Sequence, residues 1–255
     1  MSDKQLSLLK ANLKELRLPT MLAEFEKLAR EAVEADQSFL DYLLRLTELE
    51  VTARQSNALA KRIKQAGFPG GKGLESFDFT ASPGANKQVI LQLARCEWIR
   101  AHENCVFVGN SGTGKSHAAE GLARAACHEG FRVRFYTAAH LVTVLEEAQQ
   151  SYQLERLLKQ FDKTDLLVVD ELGYLSFSRA GAELLFQVFA DRYERRSLLI
   201  TSNLAFSEWG QIFQGERMTA ALLDRLTHHC HIFEMNGESY RFRESMKEKK
   251  NKRRP

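Results

Sequence analysis

Cysteine is scarce in this sequence, which argues against a fold held together by disulfides or by a structural metal ion. Only four of the 255 residues are cysteines. Cys96, Cys105, Cys127 and Cys230 lie too far apart to match metal-ligand or redox spacings. We therefore expect a reduced, cytoplasmic compartment, and we expect Cys105, within a strand-like run, to be a small buried hydrophobic residue.

Long apolar runs are also missing, and we expect no leader sequence. No apolar stretch approaches the roughly 18 residues that a membrane-spanning helix requires. The first ten residues, MSDKQLSLLK, are polar and periodic, so they do not form a signal peptide. We therefore expect no membrane partner.

The sequence has no large excess of either charge. Lysine and arginine number 36 against 33 aspartates and glutamates, which gives a formal net charge of +3. This balance permits nucleic-acid binding without demanding it, and an ordinary hydrated surface is the simpler interpretation. No helix-turn-helix, zinc-finger or aromatic stacking motif is present, which argues against sequence-specific DNA recognition.

The chain divides into four segments. Residues 1–66 are predicted to be helical, because leucines recur at helical spacing and Pro19 interrupts them. A further helix is predicted to start at Ser38, with Asp41 three residues on as in a capping box. Residues 67–87 begin with GFPGGK and are interpreted as a linker. Residues 88–245 form a larger domain, and the basic tail 246–255, MKEKKNKRRP, is expected to be disordered.

Strand-like and helix-like segments alternate in the larger domain. This alternation predicts an α/β fold, with a five-stranded parallel sheet flanked by helices and preceded by the small all-helical domain. Two candidate strands are nearly continuous apolar runs, as expected when both faces of a strand are buried. The candidates are Cys105–Val108, Arg132–Tyr136, Leu166–Val169, Ser197–Thr201 and Cys230–Phe233.

The first strand candidate leads directly into a phosphate-binding motif. Residues 109–116 read GNSGTGKS and satisfy G-x-x-x-x-G-K-[ST]. Glycines let the backbone amides curl around phosphate oxygens, and the helix that follows directs its positive dipole end at the same place. Lys115 is expected to neutralise the β- and γ-phosphates of ATP, and Ser116 to ligate Mg²⁺. The predicted ATP-binding residues are Gly109, Asn110, Ser111, Gly112, Thr113, Gly114, Lys115 and Ser116. The alternative, a glycine-rich turn with an exposed lysine, leaves the flanking strand and helix unexplained.

A second motif, LLVVDE at residues 166–171, places two carboxylates at the end of a buried strand. Ligands of open α/β sheets bind at the carboxyl ends of the strands. Asp170 is predicted to hold Mg²⁺, and Glu171 is predicted to polarise the attacking water. Either acid alone could be a surface charge, but together they predict ATP hydrolysis.

Three further residues are candidates for completing the site. Asn203 ends the apolar run LLITSN and is placed to help Glu171 position water, with a plain strand-end turn as the alternative. Arg225 lies in the helical segment MTAALLDRL, and Arg241 follows the last strand candidate. A guanidinium suits the charge on a transferring phosphoryl group, although a surface arginine is the commoner explanation.

Three groups of basic residues could contact DNA phosphates. A hydrated surface is the commoner explanation for each group taken alone. The groups are Lys61, Arg62, Lys64 and Lys72 near the linker, Arg156 and Lys159 in a predicted helical pair, and Lys247 to Arg254 in the tail.

Residues from about 88 to 243 resemble the IstB-like ATP-binding family, the helper ATPases of insertion-sequence transposition. The resemblance rests on the stretches GNSGTGKSH, LLVVDELGYLSF, LLFQVFADRYERRSLLITSN, FSEWGQIF, LLDRLTHHC and GESYRFRE. It implies the AAA+ P-loop NTPase fold, which DnaC-type helicase loaders share and DnaA-type initiators share more distantly. The departures are Asn110 and Ser111, at variable positions of the loop.

The resemblance also implies roles that spacing alone does not. Arg225 matches the finger presented to a neighbouring subunit's ATP, and Arg241 matches the second sensor of bound nucleotide. Active sites would then form between subunits, and ATP would promote assembly of a homo-oligomer. Helpers of this family bind duplex DNA largely without sequence preference and stimulate a transposase encoded by the same element.

Three functions remain open from the sequence. The first is an ATP-dependent transposition helper. The second is a DnaC-type replicative helicase loader, which prefers single strands. The lack of a cysteine cluster in the front domain weakly disfavours it. The third is a nucleotide-sensing adaptor that hardly hydrolyses ATP, against which Glu171 argues.

Overall fold

The computed structural model describes residues 3–82, 84–237, 239, 240 and 242. The chain is divided into two compact units, Met1–Lys61 and Arg62–Pro255. Arg241, Arg243 and the predicted basic tail at 246–255 lie outside the described residues. In the part of the chain that is described, no helix is both long enough and apolar enough to cross a membrane.

The described helices and strands have the following bounds. The helices are α1 (Asp3–Glu15), α2 (Pro19–Glu34), α3 (Phe39–Ala66), α4 (Lys87–Leu93), α5 (Glu97–Arg100), α6 (Lys115–His128), α7 (Ala138–Gln150), α8 (Leu154–Asp162), α9 (Arg179–Arg192), α10 (Gly210–Phe213) and α11 (Glu216–His228). The strands are β1 (Asn104–Val108), β2 (Val133–Thr137), β3 (Leu166–Leu172), β4 (Ser197–Ser202) and β5 (Cys230–Glu234). Short 3₁₀ turns lie at Leu74–Ser76 and Phe206–Glu208.

The front segment is helical, as predicted, and has a small core. Leu13, Phe25, Leu28 and Leu46 form its buried cluster. Pro19 is the first residue of α2, a position where the missing proline N–H is not needed. The predicted helix start at Ser38 is confirmed, because the Asp41 amide donates to the Ser38 hydroxyl oxygen at 3.2 Å and α3 begins at the next residue.

A buried carboxylate caps the start of α2 from a distance in sequence. Leu18, the N-cap residue, makes no side-chain hydrogen bond there. Instead, the Glu50 carboxylate accepts the amides of Thr20 at 2.8 Å and Met21 at 3.1 Å, and the Arg54 guanidinium at 2.8 Å. The N-terminal amides of a helix otherwise lack partners within the helix. Glu50 therefore joins α3 to the first turn of α2.

These contacts also lower the pKa of Glu50. Burial acts to raise that pKa, but the hydrogen bonds from Arg54, Met21 and Thr20 outweigh burial and hold it below its usual value. A carboxylate with a lowered folded-state pKa stabilises the fold above its unfolded-state pKa. The contribution is lost as the pH falls through the lowered value.

The second unit is built on the predicted five-stranded parallel sheet. Its strand order is β2-β3-β4-β1-β5, and every neighbouring pair is parallel. All five strand predictions are confirmed, with ends shifted by at most a few residues. Cys105 is fully buried in β1, as expected, and burial raises the pKa of its thiol. The four cysteines are free thiols.

The two faces of the sheet pack against different helices. One face meets α7, α9 and α11 in a large apolar cluster that includes Val106, Leu167, Val169 and Ile200. The helix α6 packs on β1, β3 and β4. Because side chains alternate along a strand, the neighbours of those cluster residues point to the other side. The face on which Asp170 lies is therefore the one opposite Leu167 and Val169.

A buried arginine, Arg192, forms hydrogen bonds at the amino ends of β3 and β4. Arg192, at the end of α9, donates to the carbonyls of Phe161 at 3.0 Å, Thr164 at 2.9 Å and Ser197 at 3.0 Å. Burial lowers the pKa of its guanidinium to about 9. The guanidinium donates hydrogen bonds to carbonyls just before β3 and at the first residue of β4. It therefore helps to fix the positions of the two strand starts relative to each other.

We predict that Glu50→Gln destabilises the helical unit selectively. The amide keeps the shape but loses the charge that holds the α2 amides and Arg54, so the unit should lose roughly 0.5–2 kcal/mol, the usual cost of a lost N-cap. Urea unfolding of the full chain, followed by far-UV circular dichroism, measures the loss. Both tryptophans, Trp98 and Trp209, lie in the second unit, so their fluorescence reports that unit separately.

The pH dependence supplies the matched test of this prediction. The wild-type advantage over Glu50→Gln should be complete above about pH 5, near the unfolded-state pKa of a glutamate, and should be lost as the pH falls through the lowered folded-state pKa of Glu50. Glu48→Gln, at an exposed position on the same helix, should behave as wild type. An equal loss from both variants, or no change with pH, would contradict the capping role.

Candidate functional site

The predicted phosphate loop lies between β1 and α6, and its glycines are required by both backbone and neighbours. Gly109 has a φ of 135° and Gly114 a φ of 97°, values that favour glycine. A Cβ on Gly109 would overlap the Met235 carbonyl oxygen, and a Cβ on Gly114 would press on the Phe77 ring. The loop therefore fits only with its glycines in place.

Lys115 lies inside the curve of this loop. Its Nζ donates to the carbonyl oxygens of Gly109 at 2.7 Å and Asn110 at 2.6 Å, and the residue is 8% exposed. The Thr113 hydroxyl donates to the same Asn110 carbonyl at 2.9 Å. The ammonium is thus held at the first turn of α6, where a helix already favours anions.

A pocket of about 530 Å³ opens beside the loop. Its volume is within the range of small-molecule sites. It brings together five predicted loop residues with Glu171 and Asn203. The lining residues are Lys72, Ser76, Phe77, Asp78, Ser82, Ser111, Gly112, Gly114, Lys115, Ser116, His117, Glu171, Tyr174, Thr201, Asn203 and Tyr240. Lys72, grouped from sequence with possible DNA contacts, belongs to this wall.

The two predicted carboxylates leave β3 at a break in its pairing with β4. Val169 pairs with Ile200 and Leu172 pairs with Ser202, so Asp170 and Glu171 together oppose Thr201. Two residues facing one is the definition of a β-bulge. Glu171 has a φ of 61°, in the left-handed region that non-glycine residues seldom adopt. Asp170 is buried and Glu171 is exposed.

Thr201 links the two acids, and the sequence analysis did not identify it as a site residue. Its hydroxyl donates to Asp170 Oδ1 at 2.5 Å and accepts the Glu171 amide at 3.0 Å. Thr201 is 1% exposed and is the next-to-last residue of β4, which is buried along its whole length. Its position at the end of the strand beside LLVVDE was a usable signal, because adjacent strand ends share one edge of the sheet.

Residues 72–82 supply a wall that the sequence analysis missed. The Ser82 hydroxyl donates to the Thr113 carbonyl at 2.9 Å. His117 Nε2 lies 3.0 Å from the Gly73 carbonyl oxygen and 3.1 Å from the Ser76 hydroxyl. The segment interpreted as a linker therefore packs against the phosphate loop and α6. Its role as a linker stays a prediction.

The same segment is bound along the outer side of α6. The buried Glu120 carboxylate accepts the Lys72 amide at 3.2 Å and pairs with Arg124 at 2.7 Å. Arg124 also donates to the Gly70 carbonyl, and its guanidinium carbon lies 4.6 Å from the centre of the Phe68 ring. These contacts recur at helical spacing along α6. They fix the course of the chain that forms the pocket wall.

The chain that follows β5 closes over the loop from another side. The Tyr240 amide donates to the Gly112 carbonyl at 2.9 Å, and Tyr240 lines the pocket. A Cβ on Gly112 would overlap the Ser239 side chain. Arg241, the candidate second sensor, lies outside the described residues.

Arg225 is exposed on α11, away from the pocket. Its guanidinium carbon lies 6.0 Å from the centre of the Phe186 ring, and it borders a much smaller cleft with Tyr193 and Leu226. Among the described residues that line the phosphate pocket, Arg225 is absent. One chain thus does not bring its Arg225 to its own phosphate loop.

The candidate DNA-binding residues differ in the contacts they make. Lys61, Lys64 and Arg156 are exposed. Arg62 donates to the Cys127 carbonyl at 2.8 Å, and Lys159 pairs with Glu155 at 2.6 Å. The tail residues Lys247 to Arg254 lie outside the described residues.

The sequence of this chain is similar to those of known ATP-binding proteins of insertion sequences. The family model described as IstB-like ATP binding protein matches residues 11–248. A protein of Geobacillus stearothermophilus, named as an ATP-binding protein of insertion sequence IS5376, is 39% identical over 93% of this chain and 95% of its own length. One from Pseudomonas aeruginosa, named for insertion sequence IS21, is 35% identical over 92% of this chain and 89% of its own length.

Comparison with solved structures gives the fold. The replication initiator DnaA bound to AMPPCP and single-stranded DNA matches with a TM-score of 0.56 and 19% identity, over 69% of this chain and 55% of that chain. DnaI matches with a TM-score of 0.52 and 15% identity, over 64% and 90%. The second unit therefore has the AAA+ P-loop ATPase fold.

We predict that Lys115→Ala lowers ATP affinity by about 10-fold or more, the value of a charge-assisted contact to a buried anion. Fluorescence titration with a labelled ATP analogue measures the affinity. Lys159→Ala, which removes an exposed lysine of α8, is the matched control and should bind nucleotide as wild type. Equal affinity for wild type and Lys115→Ala would contradict the assignment of the loop.

Proposed function

This chain belongs to the IstB-like ATP-binding protein family, and from that premise we propose that it hydrolyses ATP to assemble on duplex DNA and to recruit or stimulate a partner transposase. The observation that carries hydrolysis is the pocket where Lys115, Glu171 and Asn203 meet. Relatives named for insertion sequences support the link to transposition.

In this proposal the phosphates of ATP lie along residues 109–116. Lys115 faces the β- and γ-phosphates from inside the loop, where two carbonyls hold its ammonium. Glu171 accepts a proton from the attacking water, and Asn203 orients that water. Exposure of Glu171 at the pocket wall, beside the end of β4, is what this role requires.

The donor set fits Mg²⁺, a hard cation that prefers oxygen ligands. The Ser116 hydroxyl lines the pocket, and Asp170 is a carboxylate buried at the neighbouring strand end. These two residues would hold the ion, directly or through water. Bound Mg²⁺ would neutralise the charge that develops on the phosphates.

Completion of the site is proposed to come from a second copy of the chain. Arg225 is exposed on α11 and does not line the pocket of its own chain. As a finger offered to a neighbouring subunit, it would stabilise the charge of phosphoryl transfer. ATP bound between subunits then promotes the homo-oligomer. Arg241 remains a proposed contact to the same nucleotide.

DNA binding is proposed to rest on phosphate contacts rather than base recognition. Lys61, Lys64 and Arg156 offer exposed cations, while Arg62 and Lys159 each already have a partner in the structure. Assembly would place many copies of these weak contacts on one duplex, so the assembled protein would bind DNA much more tightly than one copy. A DnaC-type helicase loader is the second candidate, for which the DnaI fold likeness speaks.

We predict that Glu171→Gln keeps ATP affinity, loses turnover by about 100-fold or more, and prolongs ATP-dependent binding to duplex DNA. The amide keeps the shape of the side chain but cannot accept the proton of water. Fluorescence anisotropy with a labelled duplex of random sequence, with and without Mg-ATP at moderate salt, measures binding.

A single strand of equal length separates the two candidate functions. Tighter binding to the duplex supports the transposition helper, and tighter binding to the single strand supports the helicase loader. DNA binding that is the same with and without ATP would count against both. Unchanged turnover in Glu171→Gln would remove the water-polarising role.

We predict that Arg225→Ala binds ATP normally but loses about 10³-fold in hydrolysis, the lower end for an arginine finger. Mixing this variant with Lys115→Ala should restore part of the activity, because one variant supplies an intact loop and the other an intact finger. Arg217→Ala, on the same helix, is the control and should hydrolyse as wild type. No recovery on mixing would contradict a site shared between subunits.

A further inference from the structure

The Glu171 side chain is exposed at the pocket, although the regular alternation of side chains along β3 would bury it. Leu167 and Val169 point into the apolar cluster beneath α7 and α9. Because side chains alternate, residue 171 of a regular strand would follow them into that cluster. An unpaired carboxylate buried among apolar side chains is strongly unfavourable.

The bulge resolves this conflict by shifting the alternation by one residue. Leu172, rather than Glu171, occupies the next position in the apolar cluster and is fully buried. Glu171 is left exposed at the pocket wall. The position of Glu171 at the pocket wall therefore depends on the contacts that stabilise the bulge.

Thr201 is placed to do this, since it is the one residue of β4 opposite the bulge. The Glu171 amide, displaced from regular pairing, donates to the Thr201 hydroxyl at 3.0 Å. The same hydroxyl donates to Asp170 Oδ1 at 2.5 Å. A single hydroxyl thereby satisfies the amide of one acid and the carboxylate of the other.

We infer that Thr201 is a positioning residue, which holds the bulge of β3 and so turns Glu171 out of the apolar cluster and into the pocket. The inference rests on the proposed hydrolysis for its effect on rate, though not for its effect on the bulge. Hydroxyl chemistry is what matters, because both bonds use the same oxygen. Serine at position 201 keeps the hydroxyl, whereas valine keeps the branched shape but cannot form either hydrogen bond.

The test compares Thr201→Val and Thr201→Ser in the full chain. In Thr201→Val we expect kcat to fall about 10-fold or more, since the Glu171 amide and the buried Asp170 carboxylate lose their shared partner. The KM for ATP should change less than kcat, because Lys115 and the other residues of the phosphate loop are unchanged, although Thr201 itself lines the pocket. Amide hydrogen exchange at Glu171, followed by nuclear magnetic resonance, should accelerate at least about 10-fold. Thr201→Ser should restore both quantities.

Matched variants separate this effect from a general loss of stability. Thr164→Val removes another buried hydroxyl, one that donates to the Gln160 carbonyl at 3.1 Å, and should leave kcat and Glu171 exchange unchanged. Thr201→Ala leaves room for water beside Asp170 and serves if the valine variant does not fold. It should show the same lowered kcat and faster exchange.

Two results would overturn the inference. One is a Thr201→Val or Thr201→Ala protein with wild-type exchange at Glu171, and the other is a serine variant as impaired as valine. A raised KM with unchanged kcat would make Thr201 a nucleotide contact instead. If wild type fails to hydrolyse ATP, the proposed function fails, while amide exchange still decides whether Thr201 holds the bulge.

Discussion

The break in pairing between β3 and β4 is the constraint on which the rest of the site depends. Both strands are otherwise buried and mostly apolar, and before the break their residues pair in regular parallel register. At the carboxyl edge the register shifts by one residue. The shift lets the sheet keep Leu172 in its core while it presents an acid to solvent. A left-handed φ at Glu171 is the local cost, and such strain persists where surrounding contacts fix it.

The phosphate loop is enclosed by segments that are far apart in the chain. Phe77 and Ser82 meet it from before β1, and Tyr240 meets it from after β5. Both segments, as well as the loop, therefore line the pocket. Side chains along α6 hold the first of these segments by hydrogen bonds.

The site within one chain is unequal in its two halves. Groups that would hold and polarise the phosphates converge on one pocket, whereas Arg225 stands exposed on another surface. In the proposed assembly, this division would couple hydrolysis to the contact between two copies of the chain. A nucleotide between two copies would satisfy the loop of one and the arginine of the other. Hydrolysis would then remove the charge that holds the copies together.

The sequence by itself determined the sheet, the phosphate loop and the identity of the two acids, because these rest on local patterns. Apolar runs predicted five strands, and GNSGTGKS fixed the loop through its glycines and lysine. Tertiary structure alone decided which way Glu171 points, because alternation along β3 predicts the wrong face and the bulge opposite Thr201 reverses that direction. Residues 72–82 were assigned to the pocket by tertiary structure too, since glycines and a proline signal a break in helix but not what the chain then contacts.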